Sequence, residues 1–168
     1  EHASNILPWF NIEKDIKIKY IELDNELVTL DNVIKSITPN TKVISLAHIT
    51  NVIGDERPIK EITDYAHKHN ILVVLDAAQS APHVKIDVEN LGVDFMGFSG
   101  HKMCGPTGIG VLYGKYELLN KLNPQNVGGG MNNDFESNMT YRYKELPYRL
   151  EAGTPNIEGV IGLGSAIG

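Results

Sequence analysis

The sequence predicts an α/β fold, a three-layer sandwich on a mainly parallel sheet with one antiparallel strand. Two observations carry this. Short β-branched apolar runs alternate with segments of helical period, the pattern of strands joined by crossover helices. The last run follows a tight Gly105-Pro106 turn, too short for a crossover, so its strand must turn back antiparallel.

Taken in order, Ile16 to Leu23 alternates apolar and polar residues and predicts a strand. Leu30 to Ile37 has helical spacing, with Thr29 or Asp31 as its cap and Pro39 just past its end. Lys42 to Ile49 is β-branched and predicts a buried parallel strand. Pro58 to His69 predicts a helix with proline in its first turn and Ile59, Ile62, Tyr65 and Ala66 on one face. Ile71 to Leu75 is the next buried strand, and Pro82 to Gly92 a short crossover. Val93 to Phe98 is a third strand and Gly108 to Tyr113 the antiparallel one. Tyr116 to Leu122 predicts a short helix. Asn123 to Gly153 is polar and rich in Asn and Gly, and predicts a long functional or interface loop. Gly159 to Gly168 reads as the start of a helix.

The chain has 168 residues, enough for one domain with a real core. Its formal net charge is −6, and no basic stripe marks it for nucleic acid. No apolar run approaches a membrane span, and no signal peptide is evident. A single cysteine, Cys104, excludes an internal disulfide framework and fits a reducing cytoplasm. Glu1 and Gly168 both read as cut ends, so the expectation is a fragment of a larger protein.

In a sheet of this kind ligands sit beyond the C-terminal strand ends. Three predicted ends converge there: His48 to Asn51, Asp76 to Gln79, and Ser99 to Lys102. They supply acids, bases, amides and hydroxyls, but the histidines lack the pairing with Cys or Asp of a zinc site, so no metal set is expected. Asp76 and Lys102 are separated by one crossover and one parallel strand, which brings a carboxylate beside an amine. That pair suits a pyridoxal phosphate enzyme. The amine bonds the cofactor aldehyde, and the carboxylate keeps the pyridine nitrogen protonated. Taken alone, Asp76 also reads as a cap after a strand.

The sequence Ser99-Gly100-His101-Lys102, followed by Gly105-Pro106-Thr107-Gly108-Ile109-Gly110, resembles the cofactor-lysine signature of the class V aminotransferases. Further blocks follow the same order: Glu1-His2-x-Ser4-Asn5-x-x-Pro8-Trp9, His48-Ile49-Thr50-Asn51-Val52-Ile53-Gly54, Asp76-x-Ala78-Gln79 and Glu151-Ala152-Gly153-Thr154-Pro155-Asn156. Together they resemble the Suf-type cysteine desulfurases. The resemblance implies that residues 1–168 are part of the cofactor-binding large domain of a fold-type-I enzyme.

It further implies pyridoxal 5'-phosphate as cofactor and L-cysteine as substrate. Alanine and an enzyme persulfide would be the products, with sulfur passed to an acceptor protein for iron–sulfur cluster assembly. Lys102 would be the Schiff-base lysine and the base at the substrate α-carbon. Asp76 would partner the ring nitrogen, Gln79 would donate to the ring oxygen, and His2 would stack on the ring. The family often has a second histidine where this chain has Ala3. Asn51 would contact cofactor and substrate, and Ser99 and His101 the phosphate. Gly153 and Thr154 would reach the phosphate of a neighbouring protomer, making a homodimer. Cys104 lies on the lysine turn and reads as a small apolar filler, since the family's sulfur-accepting cysteine lies downstream of this segment. Selenocysteine lyase and cysteine sulfinate desulfinase are sister readings, and a non-catalytic α/β scaffold is the rival of another class.

Overall fold

The structure, a computed structural model, describes residues 1–135, 137 and 140–168. A turn at Ala3–Asn5 leads into α1 (Leu7–Phe10). Helix α2 (Leu30–Ser36) begins at Thr29, whose hydroxyl accepts the Asn32 N–H, while the Asn32 side chain accepts the Thr29 N–H. This reciprocal capping selects Thr29 over Asp31. Strand β1 (Val43–Ala47), helix α3 (Ile59–Lys68) and strand β2 (Leu72–Asp76) form the first crossover unit. A second passes through the short α4 (Val88–Leu91), capped by Asp87 and ended by Gly92 in the left-handed region, into β3 (Phe95–Ser99). Then follow β4 (Gly110–Gly114), α5 (Tyr116–Leu119), the pair β5 (Asn132–Phe135) and β6 (Tyr141–Tyr143), and α6 (Ile157–Ile167).

The sheet order is β1-β2-β3-β4. The first two pairings are parallel and the third antiparallel, as the Gly-Pro turn predicts. One face carries Ile44, Leu46, Val73, Leu75 and Met96, which pack with Ile59, Ile62 and Ala66 of α3 and with Val33 of α2. Ile62, Ala66 and Val73 are fully buried. This spacing of Ile59, Ile62 and Ala66 is the apolar stripe that holds α3 on the sheet. On the opposite face Leu72, Val74 and Phe95 are half-buried, and Leu119 of α5 closes over Gly114 beside Phe95.

Two expectations are corrected. Ile16 to Leu23 forms no strand: the nearest pairing is an isolated bridge between Asp24 and Leu27. Ile16, Tyr20 and Leu23 are 40%, 62% and 56% exposed. Alternation makes a strand only where a partner ladder lies alongside, and the described residues offer none there. The predicted loop 123–153 contains the antiparallel pair β5–β6. Its first strand, Asn-Asn-Asp-Phe, has too little β-propensity to be seen in sequence. Residues 136, 138 and 139 of that predicted loop lie outside the described residues.

Asp94 ties the N-terminal side of the sheet. It is 3% exposed. One carboxylate oxygen accepts from the Val73 amide at 2.8 Å and lies 2.9 Å from His67 Nε2; the other accepts from Lys115 Nζ at 2.7 Å. One side chain thus joins β2, the end of α3 and the exit of β4. Burial pushes its pKa up, but the Lys115 ammonium, the Val73 N–H and His67 outweigh that and hold it below the ordinary carboxylate value. A depressed carboxyl stabilises the fold above its unfolded-state pKa, and that contribution is lost as pH falls through the folded-state value. Asp94→Asn therefore lowers stability at neutral pH by about 2–3 kcal/mol, the scale of charged hydrogen bonds. Urea unfolding checks this. The gap between variant and parent should narrow below the ordinary value of 3.8.

Candidate functional site

Parallel pairing places Ala47 opposite Asp76 and Asp76 opposite Gly97. Three strand ends therefore meet at one edge, and the chain leaves each by a different turn. After β1, residues 48–57 fold back: Arg57 N–H donates to His48 O at 3.0 Å, and Thr50 N–H to Asp55 O at 3.2 Å. His48 N–H donates across to Asp76 O at 2.9 Å. The His48 ring is buried, which pushes its pKa down against a weaker pull from Glu56.

After β2, the Asp76 carboxylate accepts the Ala78 N–H through Oδ1 at 2.9 Å. This bond turns the chain out of the strand. Its Oδ2 has no hydrogen-bond partner among the described residues. The two readings of Asp76 open in the sequence are thus compatible, since one oxygen caps the turn and the other remains open.

After β3, the chain tightens into the turn Gly100–Met103, which carries Lys102 half-buried. Gly100 N–H donates to Ile109 O at 2.9 Å and Gly105 N–H to Gly100 O at 3.0 Å. A Cβ on Gly105 would lie 2.9 Å from Gly100 O and 3.1 Å from Leu163 Cδ1. Only glycine lets the chain return beneath the lysine turn while α6 packs on it.

A cleft at these strand ends is lined by His2, Ala47, Ile49, Thr50, Asn51, Asp76, Ala78, Gln79 and Lys102, with Glu1 at its side. Five expected residues thus come together: His2, Asn51, Asp76, Gln79 and Lys102. Ser99, His101 and Thr154 do not line it. Ser99 ends β3, and His101 precedes Lys102 on the same turn, exposed. Thr154 is exposed between two anchored residues: Gly153 N–H donates to Gly129 O at 2.8 Å, and Asn156 Nδ2 to Gly108 O at 3.1 Å. Cys104 is exposed in the left-handed region, so it fills no apolar space, correcting that expectation. It does not line the cleft. Among the described residues no cluster of three His, Cys, Asp or Glu could hold a metal ion.

The donor set fits pyridoxal phosphate. Among the described residues no side-chain hydrogen bond engages Asn51, Gln79, Ser99, His101 or Lys102. The His2 Nδ1 accepts the Ser4 N–H at 3.2 Å and meets Ser4 Oγ at 2.9 Å. When neutral, the ring therefore carries its proton on Nε2. The sequence reading missed two residues of the site's frame, Glu1 as a structural anion and Arg57. They are 56 positions apart, and no local pattern links them.

The chain matches the Aminotransferase class-V family over residues 1–168 and belongs to it. Among its relatives, a probable cysteine desulfurase of Halalkalibacterium halodurans is 48% identical over 99% of this chain. One of Staphylococcus aureus is 44% identical, again over 99% of this chain. The chain spans 42% and 41% of those two proteins. Of solved structures, the cysteine desulfurase CsdA (S-sulfonic acid) from Escherichia coli superposes with a TM-score of 0.93 at 38% identity. The apo cysteine desulfurase from Thermococcus onnurineus NA1 superposes at 0.92 and 39%. Each match covers 99% of this chain and 42% of the other. No helix among the described residues is long and apolar enough to cross a membrane.

The crowding at Gly105 gives a direct test. Gly105→Ala forces a methyl against a backbone oxygen and should cost about 1–3 kcal/mol. Gly129→Ala, where nothing lies within 4 Å of the new methyl, should stay within about 0.5 kcal/mol of the parent. Denaturation midpoints of the two variants check the contrast.

Proposed function

We propose that this chain is the cofactor-bearing segment of the large domain of a Suf-type cysteine desulfurase. The whole enzyme would take sulfur from L-cysteine, leaving L-alanine, and pass it to an acceptor protein for iron–sulfur cluster assembly. The observation that carries this reading is the convergence of Lys102 and Asp76 on one cleft with His2, Asn51 and Gln79. Identity to proteins named cysteine desulfurase along the whole chain supports it.

When bound, pyridoxal phosphate supplies an electron sink for the substrate α-carbon. Lys102 Nζ would hold it covalently, and the same amine, once released, would take the α-proton. The open Asp76 Oδ2 would keep a proton on the ring nitrogen, because a carboxylate favours the adjacent cation. Gln79 and Asn51 are free to donate to the ring oxygen, and His2 would stack on the ring. Ser99 and His101 would donate to the phosphate. Thr154 lies off this cleft, which suits a role in a neighbouring protomer's site within a homodimer. The sulfur-accepting thiol would come from the rest of the protein, as Cys104 lies off the cleft. A thiol that must stay reduced to accept sulfur suits the cytoplasm.

Borohydride reduction of the full-length holoprotein followed by peptide mapping should place the pyridoxyl label on Lys102. A label elsewhere overturns the assignment. Lys102→Ala should lower turnover about 10³-fold or more, since a general base is lost with the anchoring amine. Asp76→Asn should reduce turnover far more than cofactor content, and wild-type turnover in that variant would remove Asp76 from the site.

A further inference from the structure

We infer that Arg57 is a positioning residue, seating His2 against the cofactor cleft through the carboxylate of Glu1. This rests on the reading of His2 and Lys102 given under Proposed function.

Among the described residues strand β1 pairs with β2 alone. Its even-numbered peptides face β2, as Lys42 O and His48 N–H show by bonding to Leu72 and Asp76. Its odd-numbered peptides therefore face away from β2. The segment holding His2 lies along that side. Glu1 accepts the outward Ala47 N–H at 3.0 Å through Oε2, and the Ser45 hydroxyl donates to Asn5 Oδ1 at 2.6 Å. Asn5 Nδ2 returns to Glu1 Oε2 at 3.0 Å. Side-chain bonds thus tie residues 1–5 to β1, with His2 between the two anchors.

Arg57 completes this clamp from the far end of the 48–57 loop. Its side chain is 6% exposed, and its Nη1 donates to Glu1 Oε1 and, at 3.3 Å, to Ala47 O. Both outward groups of Ala47 are therefore taken by the ion pair. Its backbone N–H closes the loop that carries Asn51. Its Nε is buried without a hydrogen bond among the described residues, and Asp55 Oδ2 lies 3.9 Å away. Burial works against ionisation of Glu1, but Arg57, Asn5 and the Ala47 N–H together hold its carboxyl below the ordinary value. Without Arg57, Glu1 would be a part-buried anion, its side chain 23% exposed, lacking its cation, and turning out from the strand would return it to water. His2 would leave with it.

The test uses the full-length protein, stripped of cofactor and titrated with pyridoxal phosphate while visible circular dichroism is followed. Arg57→Met keeps an apolar stem of similar length but removes the cation. It should raise the dissociation constant about tenfold, the scale of one lost charge-assisted hydrogen bond, and weaken the dichroic band. In a His2→Ala background the same change should add less than about twofold, because the two residues act in series. A full tenfold effect in the His2→Ala background, or none in the parent, overturns the inference. If Arg57→Met does not fold, Glu1→Gln carries the same comparison, since it removes the charge while keeping an amide oxygen for Ala47. A parent protein that binds no pyridoxal phosphate at Lys102 would instead defeat the reading under Proposed function.

Discussion

Parallel pairing of β1 with β2 and of β2 with β3 points three strands the same way, so their C-terminal ends emerge side by side. Ala47, Asp76 and Gly97 occupy one row of that ladder. A one-residue slip would turn Asp76 toward α3 and Leu75 toward the cleft, reversing every inward and outward side chain of the strand. The α3 contacts oppose such a slip, because Ile62 and Ala66 fit only the face that carries Val73 and Leu75. The site is therefore positioned by an apolar interface on the other side of the sheet.

Charge is kept to the two ends of this sheet. At the N-terminal side, Asp94 gathers the Val73 amide, His67 and Lys115. At the C-terminal side, Glu1 and Arg57 bind the backbone of Ala47 at the end of β1. Between them the core-facing strand residues are apolar. A buried charge is tolerable only with partners in place, so each cluster fixes the geometry of the loops that supply them. Between these ends the central strands are held by burial of Val73, Leu75 and Met96.

Most of this architecture could be read from the sequence because its determinants are local. β-branched runs marked β1 to β3, the Ile59, Ile62, Ala66 spacing marked α3, and Gly105-Pro106 marked the antiparallel return into β4. Asp76 and Lys102 followed, since a strand's C-terminal residue is placed once the strand is recognised. The failures share a cause. Ile16 to Leu23 has the alternation of a strand but no neighbour among the described residues, and β5 has a neighbour but no alternation. Pairing is a property of two segments, and one segment's pattern cannot report it. Cys104 was misjudged for a related reason: its small apolar side chain suggested a filler, whereas its left-handed backbone turns it out to solvent.

The polar side chains around the cleft divide by whether the protein uses them itself. Glu1, Asn5, Ser45, Arg57 and Asp76 Oδ1 are all engaged with backbone or with one another. Asn51, Gln79, Lys102 and Asp76 Oδ2 have no such bonds among the described residues. A polar group kept out of internal bonds at the mouth of a rigid sheet contributes nothing to the fold that water could not match. Its value lies in what it can bind. The engaged set fixes where the open set stands, and that division is what marks the strand ends as the candidate site.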